Sequence, residues 1–157
     1  MAKFERSNKN KVQNINTASL PDIVFMLLFF FMVTTVMRET TLKVHISVPG
    51  ATEVKKLEKK SLVSYIYIGE PTKQYRGLFG TEPRIQLNDQ FASLDDIRDF
   101  VSSEREAMNE NDQQLMTVSL KIDQDTKMGI VSDVKQELRK ASALKINYST
   151  RQVERVY

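Results

Sequence analysis

Residues 23–33, IVFMLLFFFMV, are eleven consecutive apolar residues, and they decide how the chain is organised. A helix that crosses a bilayer needs roughly 20 predominantly apolar residues, so this run alone is too short. The next charged residue after the run is Arg38, so the helix can extend to position 37. Counting back 20 residues from there gives the window 18–37. That window contains a single charged residue, Asp22. We therefore predict a transmembrane helix over residues 18–37.

A cleaved signal peptide is the alternative interpretation of this segment. The basic residues that precede it are typical of such a signal. However, residues 35–38, TVMR, do not provide the small residues that a cleavage site needs. We therefore favour an uncleaved membrane anchor.

The charges on the two sides of the window predict its orientation. Residues 1–17 carry four Lys or Arg and one Glu, whereas only Arg38 follows the window immediately. The cytoplasmic flank of a membrane helix usually carries the excess of Lys and Arg. We therefore predict that residues 1–17 form a cytoplasmic basic tail. Residues 38–157 are then periplasmic, and the helix lies in a bacterial inner membrane.

Asp22 is the charged residue inside the predicted span. An aspartate within a membrane helix costs about 2.5–3.5 kcal/mol on insertion scales and usually marks a functional site. However, Asp22 directly follows Pro21, and both proline and acidic residues are favoured in the first turn of a helix. From the residues alone, Asp22 is therefore either a functional intramembrane carboxylate or a first-turn residue whose carboxylate lies among lipid headgroups.

The part of the chain after the span has the hydrophobic periodicities of an α+β domain. Strands are predicted over residues 42–48, 62–68, 85–87, 116–122 and 144–148, and helices over 94–108 and 130–141. We expect residues 61–157 to form one sheet with two helices on one face. Residues 38–60 should supply the first strand and a charged tether. Residues 69–83, rich in Gly and Pro, are predicted to be an irregular loop.

Composition argues against several classes of function. The chain has no Cys and one His, which leaves no disulfide, no thiolate zinc site and no histidine cluster. Residues 38–157 carry 19 basic and 18 acidic residues, so they lack the basic excess of a nucleic-acid-binding domain. His45 falls on the polar face of a predicted strand, and Asp123 and Asp125 fit a turn better than a calcium loop. We therefore expect a protein that is not an enzyme, with no cofactor, no metal and no nucleic-acid partner.

Short motifs follow one another in a specific order along nearly the whole chain. The first ones are Ile15-Asn16, the pair Pro21-Asp22 that opens the apolar run, and a strand at 44–49 that ends in Val-Pro. The later ones are a strand at 118–120, Ile122-Asp123, Met128-Gly129, a helix at 131–138 and a strand at 144–146. In this order and spacing the chain resembles the ExbD/TolR family.

The resemblance implies an energy-transducing membrane subunit. Such a subunit pairs with a multi-span ExbB/TolQ-like protein, forms a homodimer within the complex, and uses the proton-motive force to act on a TonB/TolA-like protein. Asp22 matches the family's single membrane aspartate, which carries the proton. The implied function is an ExbB–ExbD-type inner-membrane motor that powers TonB-dependent transport across the outer membrane.

Two features depart from the family pattern, and two other functions stay open. Pro21 directly precedes Asp22, whereas the family commonly places the proline a few residues earlier. The loop at 69–83 looks like an insertion relative to shorter members. The alternative functions are a TolR-like role in envelope integrity and, in a different class, a signal-anchored periplasmic binding module in which Asp22 only begins the helix.

Overall fold

The computed structural model describes residues 19–36, 40–57 and 59–154, which belong to two compact units, 1–39 and 40–157. The predicted cytoplasmic tail lies outside the described residues, as do positions 18 and 37 at the ends of the predicted span. The described part of the first unit is one helix, α1, Ser19–Val36. Within the described residues, no helix has both the length and the hydropathy required of a membrane span.

The second unit is an α+β domain. Its described elements follow in the order β1 (Gly50–Ala51), a 3-10 turn (Lys60–Leu62), β2 (Val63–Gly69), α2 (Arg76–Phe79), β3 (Arg84–Leu87), β4 (Gln90–Ala92), α3 (Asp96–Glu106), α4 (Glu110–Gln113), β5 (Thr117–Ile122), α5 (Met128–Lys140), β6 (Ile146–Tyr148) and β7 (Arg151–Gln152).

Five of these strands form one mixed sheet in the order β4-β3-β2-β5-β6. The neighbours β2 and β5, and β5 and β6, run parallel, whereas β3 is antiparallel to both β2 and β4. Strand β2 is central in this sheet, and β-branched and aromatic residues such as those of β2 are favoured in strands. A separate parallel pair joins β1 to β7, with Gly50 opposite Arg151.

The core of the second unit lies between the sheet and the two long helices, α3 and α5. Side chains alternate across a strand, so one face of β2 and β5 contributes apolar residues to this core. The buried residues are Ile66 and Ile68 from β2, Val118 and Leu120 from β5, Ile97 and Val101 from α3, and Val134 and Leu138 from α5. The predicted α+β class is therefore confirmed in the described domain, which also contains the short helices α2 and α4 and a second sheet of two strands.

Two predicted strands differ from the structure. The segment 42–48 is extended but forms an isolated bridge, between Val44 and Pro71, and is not a regular strand. Its alternate N–H groups bond to side chains as well as to backbone, so no continuous ladder forms. At the other end of the chain, β6 is an edge strand. Of its alternating apolar residues, Ile146 packs against the core, whereas Leu144 and Tyr148 are exposed.

Two segments predicted to be irregular contain regular pieces. The loop at 69–83 forms the one-turn helix α2, and Tyr75 and Phe79 from this segment pack against Phe91 of β4. The segment 49–60, predicted to be a tether, contains β1, which pairs with β7. Both results depend on partners distant in sequence, which local periodicity does not detect.

Candidate functional site

Helix α1 places Asp22 in its first turn, as both interpretations of this residue require. The helix begins at Ser19, so Pro21 lies where its missing N–H costs no intrahelical hydrogen bond. From position 23 to position 33 every side chain is apolar, and each of these side chains is exposed on the described helix. A helix that is apolar on all sides requires apolar surroundings.

The carboxylate of Asp22 shares one side of α1 with large apolar side chains. Met26 and Phe30 follow at intervals of four residues, and Ile23 and Leu27 lie beside them along the same shallow groove. Residues four apart are neighbours on a helix surface. Asp22 is therefore the only ionisable group on an otherwise apolar helical face.

Thr34 lies near the other end of α1, and its hydroxyl bonds within the helix. Its Oγ1 donates toward the carbonyl oxygens of Phe30 and Phe31, at 2.9 and 3.0 Å. Such bonds satisfy a hydroxyl without a partner from outside the helix. Within the described helix, Asp22 is then the ionisable side chain.

A second arrangement of functional interest joins the extended segment 40–49 to the sheet. Three acceptor side chains bind its backbone: Asp89 Oδ1 accepts from Thr41 N–H at 2.8 Å, Gln86 Oε1 from Lys43 N–H at 2.8 Å, and Asp123 Oδ1 from Ser47 N–H at 2.7 Å. These donors are two or four residues apart, as expected for one edge of an extended chain. The segment is thus attached to the domain through side chains as well as through backbone hydrogen bonds, such as the one from Gln124 N–H to Ser47 O at 2.9 Å.

Gly69, the last residue of β2, permits the close approach of this segment. A Cβ atom at this position would overlap the carbonyl oxygen of His45, which belongs to the extended segment. Two backbone hydrogen bonds hold the extended segment beside the end of β2. They run from His45 N–H to Glu70 O at 2.7 Å and from Thr72 N–H to Lys43 O at 2.9 Å. Glycine is required here for space, since its backbone φ is not in the left-handed region.

His45 and Asp123 lie close together, as the sequence did not predict. The imidazole Nδ1 is 4.0 Å from Asp123 Oδ1, and the His45 side chain is 70% exposed, whereas that of Asp123 is 8% exposed. Asp123 also begins a turn, because its carbonyl oxygen accepts from Thr126 N–H at 3.0 Å. The predicted turn at Asp123 is confirmed, and its carboxylate has the further task of binding Ser47.

Tyr67 lies on the sheet face opposite the helices, close to the start of the extended segment. Burial raises the pKa of the Tyr67 hydroxyl, and a hydrogen bond with Thr40 acts in the opposite direction. Lys121 of the neighbouring strand lies over the rings of both Tyr65 and Tyr67, at 4.6 and 5.5 Å from their centroids. These contacts make the face polar and aromatic rather than apolar.

Comparison with protein families gives a match over nearly the whole chain. The family described as biopolymer transport protein ExbD/TolR matches residues 8–153. The chain belongs to the ExbD/TolR family. Members of this family are typically associated with the inner membrane, serve energy transduction in biopolymer transport, and generally work with ExbB/TolQ and TonB/TolA partners. A search of curated proteins gave no significant match.

The family match spans both units described above, from the N-terminal segment before α1 to the end of β7. It therefore includes Asp22 and the extended segment 40–49. The role of Asp22 stays a prediction, and sequence reasoning missed Gln86, Asp89 and Gly69, which position the segment on the sheet. Polar residues in strands and turns give no local signal that they will bind a distant backbone.

Proposed function

We propose that this ExbD/TolR protein is the proton-carrying subunit of an ExbB–ExbD-type inner-membrane motor that powers TonB-dependent outer-membrane transport. In this proposal α1 crosses the membrane once, residues 1–17 are cytoplasmic and the α+β domain is periplasmic. The protein is an energy-transducing subunit and not an enzyme, and its work requires an ExbB/TolQ-like multi-span partner and a TonB/TolA-like protein.

The observation that carries the proposal is the isolation of Asp22. It is the only ionisable side chain in α1, and it shares a face with Met26 and Phe30. A carboxylate facing lipid is costly, whereas one facing partner helices or a water-filled path is tolerated and usually functional. Partner helices should therefore cover this face, and two copies of the chain could share one channel.

Proton transfer follows from the chemistry of one carboxyl group. When water reaches Asp22 from the periplasmic side, the carboxylate takes up a proton and becomes neutral. The neutral group can face apolar surroundings at much lower cost than the charged form. When Asp22 next meets water on the cytoplasmic side, it releases the proton and becomes charged again. The neutral form favours apolar contacts of α1, and the charged form favours aqueous ones.

Replacement of Asp22 by Asn tests the proposal in cells. Asn retains size and hydrogen bonding but cannot ionise, and it is as good as Asp at a helix N-terminus. In a strain without the native copy, Asp22→Asn should abolish energised uptake of a TonB-dependent nutrient while the ExbB-like partner still co-purifies. Asp133→Asn, an exposed substitution on α5, is the matched control and should leave uptake unchanged.

The same strains separate the alternative functions. A TolR-like role predicts sensitivity to detergents with normal nutrient uptake in the Asp22→Asn strain. A signal-anchored binding module predicts that the variant retains full function, because Asp22 would only begin the helix. Normal uptake and normal detergent resistance from an assembled Asp22→Asn complex would contradict the motor function.

A further inference from the structure

A small cavity lies between the extended segment 40–49 and the loop at 69–83. Its volume is about 550 Å³. The side chain of each residue that lines it can donate a hydrogen bond, and none of these residues is acidic. The lining residues, all in the described part of the chain, are His45, Thr72, Lys73, Gln74 and Arg76. The cavity therefore favours an occupant that is rich in acceptor oxygens.

The backbones of the two walls are joined to each other. Val44 of the extended segment forms its isolated bridge with Pro71, which directly precedes Thr72. The Thr72 carbonyl oxygen accepts from the N–H groups of Tyr75 and Arg76, at 2.8 and 3.1 Å, and so closes the turn between them. A site whose backbone is already in place loses less conformational entropy when it binds a ligand.

Arg76 is positioned by two hydrogen bonds of its own side chain. Its Nε donates to Pro71 O at 3.2 Å, and its Nη2 donates to Glu70 Oε2 at 3.3 Å. A guanidinium has five N–H groups, so these two bonds leave donors for an anion. The Glu70 carboxylate neutralises part of the charge, but Glu70 is not one of the residues that line the cavity.

The permanent charges around the cavity are mainly positive. Lys73 and Arg76 line it, and Lys43 of the extended segment lies over an aromatic ring of the same loop. The carboxylates that face these groups are Glu70 and Asp123. Both already accept hydrogen bonds, from the Arg76 guanidinium and from the backbone of the extended segment. An excess of positive charge on a concave surface attracts anions.

The geometry of the donors suits a phosphate group better than a carboxylate. A phosphate monoester carries a charge of about −1.5 to −2 and three strong acceptor oxygens. A carboxylate has only two acceptor oxygens. The donors here are imidazole, hydroxyl, ammonium, amide and guanidinium groups, and they come from two separate walls. Such a set can surround a group whose oxygens point in several directions.

We propose that this cavity binds a phosphate ester, with the phosphate group held by Lys73 and Arg76 and by the neutral donors beside them. Ligand sites of small molecules commonly have volumes of about 300–1,000 Å³, so the cavity also has room for the organic group that the phosphate carries. This binding site goes beyond the proton-carrying function and does not depend on Asp22.

Isothermal titration calorimetry with the full-length chain in non-ionic detergent tests the proposal. The probes are inorganic phosphate, glycerol 1-phosphate and glycerophosphoglycerol, which is the headgroup of phosphatidylglycerol without its acyl chains. Acetate is the control anion. The site variant combines Lys73→Gln and Arg76→Gln. The matched variant combines Lys127→Gln and Arg139→Gln, two exposed cations that do not line the cavity, and changes the net charge equally.

A second pair of variants leaves the hydrogen bonds of Arg76 intact. Lys73→Glu places a negative charge on the wall of the cavity, and Lys127→Glu makes the same change in charge elsewhere on the surface. Lys73→Glu should weaken binding of the phosphate probes, because like charges repel, whereas Lys127→Glu should bind within about twofold of wild type.

The wild-type chain should bind the phosphate probes more tightly than acetate, and added salt should weaken this binding. We expect the site variant to bind about tenfold more weakly, because two charged hydrogen-bond donors are lost together. The matched variant should bind within about twofold of wild type. Tighter binding of inorganic phosphate or glycerol 1-phosphate assigns the site to a soluble phosphate compound, whereas tighter binding of glycerophosphoglycerol assigns it to a lipid headgroup. Absence of phosphate binding to wild type, equal binding of acetate, or equal losses in the site and matched variants would overturn the proposal.

Discussion

Gln86 connects the extended segment to the sheet through a single buried amide. Its Oε1 accepts from Lys43 N–H, and its Nε2 donates to the carbonyl oxygens of Thr41 and Asn88, at 2.8 and 2.7 Å. The side chain is inaccessible to solvent. A buried amide with three hydrogen bonds is costly to replace, because its three backbone partners lose their bonds together.

Replacing Gln86 by Leu should therefore lower the free energy of unfolding by about 1–3 kcal/mol. The loss comes from the backbone N–H and C=O groups that no longer have the amide as a partner, and not from a change of side-chain volume. Urea unfolding of the full-length chain, followed by circular dichroism, measures the effect. Gln90→Leu, at an exposed position of β4, is the matched control. An equal midpoint for the two variants would show that Gln86 does not hold the segment.

The ion pairs of Glu137 should make the stability of the domain depend on pH. Hydrogen bonds from Lys140 and Arg98 lower the pKa of the Glu137 carboxyl in the folded protein. A carboxyl whose pKa is lower in the folded than in the unfolded protein stabilises the fold. This stabilisation is fully present above the pKa of the unfolded protein, near pH 4.5. It is lost as the pH falls through the pKa of the folded protein. Wild type should therefore lose more thermal stability than Glu137→Gln between neutral pH and about pH 3.

The test measures the melting temperatures of wild type and Glu137→Gln across this pH range. Glu106→Gln, at an exposed position, is the control. Asp96 contributes in the same direction, since hydrogen bonds from the Ser93 backbone and side chain lower its pKa. The informative quantity is therefore the difference between wild type and Glu137→Gln. Parallel pH curves for these two proteins would contradict the assignment to Glu137.

At the scale of elements, the glycines give a matched pair of substitutions. Gly69→Ala should destabilise the domain by about 1–3 kcal/mol, because the new methyl group overlaps the His45 carbonyl and forces the extended segment to move. Gly129→Ala, in the first turn of α5, meets no atom within 4 Å and should be neutral or stabilise by up to about 1 kcal/mol.

Both substitutions reduce the freedom of the unfolded chain equally, so their difference reports on the folded state. Urea unfolding of the two variants measures it. Hydrogen exchange at the Ser47 amide adds a local measurement, because this group is bonded to Asp123 when the segment is in place. Equal stability and equal protection in the two variants would show that the segment does not need the space at Gly69.

Some elements could be predicted from sequence because their own residues determine them. In β5 and α5, apolar residues recur at intervals of two and of three or four, and Val118, Leu120, Val134 and Leu138 are all buried. The segment 42–48 has equally clear alternation but is not a strand, since Gln86 and Asp123 supply acceptors that a neighbouring strand would otherwise supply. Periodicity identifies a buried face, but it does not identify the partner of a backbone.

The candidate site could also be predicted from the sequence only in part. Asp22 could be identified from sequence because a charge within an apolar run is visible without a fold. The attachment of segment 40–49 could not, because it requires Gln86 and Asp123, which are distant in the chain, to lie beside its backbone.

At the scale of the whole molecule, the proposed topology makes a direct prediction. The chain has no Cys, so single-cysteine variants report their location without background. In cells with a permeabilised outer membrane, an impermeant maleimide should label Ser103→Cys on α3 but not Asn8→Cys in the N-terminal tail. Labelling after complete lysis is the control for reactivity. Labelling of Asn8→Cys alone in intact inner membranes would reverse the orientation.

Proton flux through the purified complex tests the central claim most directly. The chain, assembled with its ExbB-like partner and reconstituted into liposomes, should conduct protons under an imposed potential, as a pH-sensitive dye inside the vesicles reports. The Asp22→Asn complex, shown to be assembled to the same extent, should conduct no more than empty liposomes, because an amide cannot ionise. Wild-type flux from an assembled Asp22→Asn complex would contradict the assignment of Asp22 as the proton carrier.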